Sequence, residues 1–173
     1  EDDVHIAYQV LGNGPIDVVF VHAFVSHVEL FWELPSYGRF LRELSSWGRA
    51  IMFDKRGVGL SDRLSVVPTL EARIDDLRAV LDAVESERIL VVGNSDGGAL
   101  AAMFAATYPA RTLGLVLWSG GFRMAGAPDY PWGMPEEQFE ERLATRMEQW
   151  GDASRGEETV RMTFSVVGER LEN

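Results

Sequence analysis

Cysteine is absent from the 173 residues. Disulfides, thiolate nucleophiles and Cys-based zinc sites are thereby excluded. The absence fits a reducing compartment, and a cytoplasmic location is expected. Lysine occurs once, at Lys55, and there is no basic cluster. The 16 Lys+Arg against 27 Asp+Glu leave a formal net charge of −11. Such a chain repels phosphate backbones and anionic lipid, which argues against a nucleic-acid or membrane partner. No apolar run reaches the roughly 20 residues that a spanning helix needs. Repeats, low-complexity tracts and Pro/Ser-rich linkers are also missing. The chain opens Glu1-Asp2-Asp3, with neither Met nor a signal-peptide pattern. Its first residue is therefore not expected to be a translation start.

What is present suits a packed domain. Hydrophobic residues make up 46% and charged residues 25%, too apolar a balance for intrinsic disorder. Four short apolar runs read as buried strands: Ile16–Val21, Ala50–Phe53, Ile89–Val92 and Leu113–Trp118. Val4–Leu11 alternates imperfectly and reads as one more strand. Between the runs lie helical patterns. Phe40, Leu41, Leu44 and Trp47 fit one helix face. Leu70, Ile74, Leu77, Leu81 and Val84 make an apolar stripe, with Thr69 as N-cap. Gly97–Tyr108 is helix-prone and stops at Pro109. Alternation of this kind predicts βαβ units and an α/β fold, a mostly parallel sheet flanked by helices.

Composition shifts near Gly120. Gly120-Gly121, Pro128, Pro131 and Pro135 mark a loop region. Glu136–Trp150 then reads as an acidic helix and Glu157–Leu171 as another. The organisation expected is a sheet domain over residues 1–120 and a helical appendage over 121–173. No further buried-type strand follows Trp118.

Chemistry concentrates where Ile89–Val92 runs into Gly93-Asn94-Ser95-Asp96-Gly97-Gly98 and a helix begins at once. This is G-x-S-x-G in a strand–turn–helix context. A residue at the apex of so tight a turn has a strained backbone, and only small residues fit at Gly93 and Gly97. Ser95 then projects beyond the carboxyl end of the sheet, where open α/β folds bind ligands. The free N–H groups of the helix N-terminus face any oxyanion formed there.

Two further stretches follow strands: Val21-His22-Ala23-Phe24, and Asp54-Lys55-Arg56-Gly57-Val58-Gly59-Leu60-Ser61-Asp62-Arg63. In order, a His-Gly-like loop, a D-x-R-G-x-G-x-S-D loop and G-x-S-x-G resemble the α/β-hydrolase superfamily over about residues 4–120. A narrower likeness is to hydrolase domains found alone or fused to adenylate/guanylate cyclases. It is carried by Phe24–His27, Phe53–Gly57 and Ala127–Gly133.

The resemblance implies that Ser95 is the nucleophile. It also implies that the backbone N–H groups of Phe24 and Asp96 form the oxyanion hole, although Ala23 replaces the family's usual glycine. Trp118 and His27 are candidate substrate-binding residues. Phe31, Trp32, Phe122 and Trp132 are further pocket candidates, with a core role open for each. The helical appendage resembles the start of a cap. His22 is expected to order its loop rather than move a proton. Asp54, Arg56 and Asp62 are expected to pair structurally. The Asp96 carboxylate is favourable at a helix N-terminus, and tuning of substrate charge is the alternative. No metal and no cofactor are expected.

A serine hydroxyl needs a base, and the base needs an orienting acid. In the superfamily both follow the nucleophile in the chain. Here His5, His22 and His27 all precede Ser95. The expectation is an N-terminal portion of a larger serine hydrolase acting on a small-molecule ester or lactone. The alternatives are carbon–carbon bond hydrolysis and a non-catalytic ligand-sensing module. The elbow is similar to that of ring-fission-product hydrolases, but Asp96 stands where those usually carry Met, and their Gly-rich oxyanion loop is missing. Nothing in the sequence speaks for an oligomer.

Overall fold

The computed structural model describes residues 3–149 and Asp152. The chain divides into two compact units, Glu1–Phe122 and Arg123–Asn173. In the first, β1 (Tyr8–Leu11), β2 (Asp17–Val21), β3 (Arg49–Phe53), β4 (Ile89–Asn94) and β5 (Thr112–Trp118) form one sheet in the order β1-β3-β2-β4-β5. The pairs β3–β2, β2–β4 and β4–β5 are parallel, whereas β1 is antiparallel to β3. The expected α/β architecture, a mostly parallel sheet between helices, is therefore what the chain forms.

Three helices cover the sheet: α1 (Pro35–Trp47), α2 (Leu70–Ala83) and α3 (Gly97–Thr107). Strand alternation decides which side chain meets which helix. Val19 and Val21 of β2 pack with Ile74, Leu77 and Leu81 of α2 and Leu100, Ala101 and Phe104 of α3. Val18 and Phe20 point the other way, toward Leu44 and Leu41 of α1. The cap of α2 forms as its sequence predicts, with Thr69 Oγ1 accepting from Ala72 N–H at 3.2 Å.

Three elements differ from expectation. β1 covers only the second half of Val4–Leu11. His5 and Ala7 instead bond the loop after β3: His5 N–H donates to the Asp62 carboxylate and Ala7 N–H to Ser61 Oγ. Trp47 shares the α1 pattern with Leu41 and Leu44 but is the last residue of the helix and lies 48% exposed. β5 carries the composition of a doubly covered strand, yet Leu113, Leu115, Val116 and Leu117 are all 40% exposed or more. It is one of the two edge strands of the described sheet, β1 being the other, and composition does not reveal which strand lies at an edge.

The second unit is described only in part. Ala125 bridges Met134, and Ala127 bridges Tyr130. Helix α4 spans Glu136–Glu148 and has no buried residue. The expected helix Glu157–Leu171 lies outside the described residues. Among those described, no helix is long and apolar enough to cross a membrane.

Leu77 is fully buried between α2 and the sheet. Leu77→Ala is expected to lower stability by about 3 kcal/mol through lost transfer energy and a residual cavity. Urea denaturation at constant m-value checks this.

Candidate active site

Parallel register brings three chain segments to one end of the sheet. Val21 pairs with Gly93, and Asn94 pairs with Trp118. The segments beginning at His22, Ser95 and Ser119 therefore leave the sheet side by side.

At the centre, Ser95 adopts φ +50°, a left-handed conformation that is uncommon for a residue with a Cβ. Two hydrogen bonds hold it there. Its N–H donates to Trp118 O at 3.0 Å, and its carbonyl accepts from Gly98 N–H at 2.9 Å. The turn closes because its neighbours lack side chains. A Cβ on Gly93 would lie 2.7 Å from Ala101 Cβ, and one on Gly97 would overlap the carbonyl oxygens of Val21 and His22. The side chain of Ser95 is consequently presented at the surface.

Phe24 lies in the loop after β2 and is 53% exposed. Asp96 occupies the N-cap position of α3 but makes no capping hydrogen bond with its side chain. Its carboxylate turns to Lys55 Nζ at 2.6 Å, with Arg73 of α2 at 3.9 Å. The Lys55 side chain is only 2% exposed and also donates to Ala23 O at 2.9 Å. Burial pulls the Lys55 pKa down, and the bond to Asp96 opposes that. The structure thus ties the loop bearing Phe24 to the turn bearing Ser95 and Asp96. Sequence reasoning missed this link. The available signal was a lone lysine directly after a buried strand.

The remaining candidates have other partners. His27 Nδ1 accepts from Leu30 N–H at 3.2 Å, at the start of the single turn Leu30–Glu33. Trp118 supplies its carbonyl to Ser95, while its half-exposed ring lies 6.5 Å from the Phe20 ring and 6.1 Å from that of Phe40. Phe31 packs on His22 and Tyr37. Trp32 Nε1 donates to Gln9 at 2.9 Å. Phe122 is 56% exposed. In the second unit, Trp132 packs edge-on to Tyr130.

His22 is buried and within 2.9 Å of the Tyr37 hydroxyl. Burial lowers its pKa to about 4, against the pull of Asp54 and with the push of Lys55. It is therefore neutral near pH 7 and fastens its loop to α1. The three expected structural carboxylate and guanidinium groups are paired. Asp54, fully buried, accepts from Ser26 Oγ, Val28 N–H and Leu60 N–H. Arg56 forks onto Asp76 with two 2.6 Å bonds. Asp62 holds His5, whose bonds pull the Asp62 carboxyl below its usual range. Among the described residues, no hydrogen bond joins a histidine to Ser95.

The family model of the alpha/beta hydrolase fold matches residues 18–170. The chain belongs to the α/β-hydrolase family. It is 37% identical over 95 residues to a 2-hydroxy-6-oxo-2,4-heptadienoate hydrolase of Pseudomonas putida, covering 53% of this chain and 34% of the relative. It is 33% identical over 144 residues to a 2-hydroxy-6-oxononadienedioate/2-hydroxy-6-oxononatrienedioate hydrolase of Paraburkholderia phymatum, covering 78% of this chain and 46% of that one. The α/β-hydrolase chain thus spans less than half the length of these two curated relatives. Among solved structures it is similar to Est816, described as an N-acyl homoserine lactone degrading enzyme. That match has a TM-score of 0.68 and 27% identity, and covers 99% of this chain and 62% of the other.

Two outcomes test the geometry. Gly97→Ala is expected to lower stability by about 1–3 kcal/mol, because backbone carbonyls cannot retreat from the added methyl; thermal unfolding measures it. Because the folded pKa of His22 lies below its unfolded value near 6.5, the unfolded state binds the extra proton. Stability is then expected to fall as pH drops from 6.5 toward 4, by about 2 kcal/mol between pH 7 and pH 5. His22→Gln should remove that part of the slope in urea titrations at the two pH values.

Proposed function

We propose that this chain is the nucleophile-bearing portion of a serine hydrolase that cleaves a small-molecule ester or lactone through an acyl-enzyme. The observation that carries the reading is the left-handed backbone of Ser95 between β4 and α3. It presents the hydroxyl next to the N-terminus of a helix whose first N–H groups lack intrahelical acceptors. Ser95 Oγ attacks the carbonyl carbon as its proton passes to a base. The N–H groups of Phe24 and Asp96 receive the resulting oxyanion. Collapse expels the alkoxide leaving group, which takes the proton from that base. Water then hydrolyses the acyl-enzyme, releasing the acid and restoring Ser95.

The base proposed is a histidine of the full-length enzyme outside these 173 residues. His5, His22 and His27 are engaged with Asp62, Tyr37 and Leu30. The segment from residue 121 is proposed as the start of a cap segment.

Carbon–carbon bond hydrolysis is the second reading, and the names of the two curated relatives favour it. The charged pair Lys55–Asp96 directly beside Ser95 is what this chain offers either substrate class.

The test uses the full-length protein and its Ser95→Ala variant. Substrates are p-nitrophenyl esters, acyl lactones and a vinylogous 2-hydroxy-6-oxo dienoate. Wild-type turnover of esters or lactones, lost by about 10⁴-fold or more in the variant, supports the proposal. Turnover confined to the dienoate establishes the carbon–carbon reading. Binding without Ser95-dependent turnover of any substrate establishes a sensing module.

A further inference from the structure

Lys55 leaves the carboxyl end of β3, one strand removed from β4, and reaches across the end of β2 between them. Its ammonium group bonds Ala23 O at 2.9 Å and Asp96 Oδ2 at 2.6 Å. These partners belong to the two halves of the oxyanion hole. The oxygen of Ala23 and the N–H of Phe24 form a single peptide group, and the chain has no cis peptide bond. In a trans peptide the two point in opposite directions. Fixing the oxygen on Lys55 therefore aims the Phe24 N–H away from the lysine. Asp96 carries the other N–H on the residue after Ser95.

We propose that Lys55 is the positioning residue of the oxyanion hole, holding both donor-bearing segments with one buried ammonium group and cancelling the Asp96 carboxylate beside the forming negative charge. This rests on the serine-hydrolase reading above. Two physical effects operate together. A cation on a peptide oxygen polarises the unit and strengthens its N–H as a donor. A carboxylate one residue from the nucleophile would oppose a developing oxyanion, and the adjacent cation offsets it. Arg73, 3.9 Å from the same carboxylate oxygen, contributes in the same direction. The arrangement also assigns Asp96 a purpose beyond its place at a helix start: it anchors the lysine to the elbow.

The test compares wild type, Lys55→Gln, Asp96→Asn and the double variant in the full-length enzyme, with a p-nitrophenyl ester as probe. Glutamine keeps an N–H donor but carries no charge to neutralise Asp96. Lys55→Gln is expected to lower kcat about 100-fold at little-changed KM, the signature of a transition-state interaction. Adding Asp96→Asn should recover part of that loss, because the uncompensated carboxylate is gone. Backbone amide resonances of Phe24 and Asp96 should both shift in Lys55→Gln, which a remote structural role would not produce. A folded Lys55→Gln with wild-type kcat overturns the proposal, as does a loss fully explained by the unfolded fraction in circular dichroism. If Lys55→Gln does not fold, Asp96→Asn alone decides: an unmoved Phe24 amide and unchanged kcat overturn the coupling. A wild type lacking Ser95-dependent turnover overturns the hydrolase reading itself, and is recognised before any lysine variant is assayed.

Discussion

Three consecutive charged side chains, Asp54, Lys55 and Arg56, are buried at the carboxyl end of β3, at 0%, 2% and 8% exposure. A buried charge is tolerated only when paired and hydrogen-bonded. Each therefore dictates where another segment must lie. Asp54 gathers Ser26, Val28 and Leu60. Lys55 gathers Ala23 and Asp96. Arg56 gathers Asp76 on α2. The loops after β2 and β3 and the turn after β4 are thus fixed relative to one another by desolvated charge. The apolar core fixes only the strands and helices beneath them.

That division suits a hydrolase. The core supplies a rigid sheet end, where β2, β4 and β5 terminate in register. The buried Lys55 ammonium then joins Ala23 O in the loop after β2 to Asp96 in the turn after β4. Ser95 stores strain of about 1–3 kcal/mol in its left-handed backbone. The strain is sustained by the bond to Trp118 O and by the close approach of Gly97 to the end of β2. Both supports come from outside the turn, so the elbow depends on the assembled sheet.

The order and type of the elements were legible in the amino-acid pattern. The runs at Ile16–Val21 and Ile89–Val92 read as buried strands by their shortness and β-branched content, and the stripe Ile74–Leu77–Leu81 carries the helical period. The elbow was legible for the same reason, since Gly93, Ser95 and Gly97 are neighbours in sequence as in space. Trp118 and His27 were less so. The chain uses the carbonyl of Trp118 to hold Ser95 and the ring nitrogen of His27 to hold Leu30, and a side-chain inventory does not foresee such roles.

The sequence by itself determined the alternation of strands and helices, the serine at the tight turn, and the lack of any thiol within these 173 residues. These follow from periodicity, backbone sterics and composition, which act over a few residues at a time. Only the tertiary structure decided the strand order β1-β3-β2-β4-β5, the antiparallel edge and the partners of Lys55. Lys55 meets groups 32 and 41 residues away. No local pattern encodes such pairs, because they exist only once β3, β2 and β4 lie side by side and water has been removed from the charges between their ends.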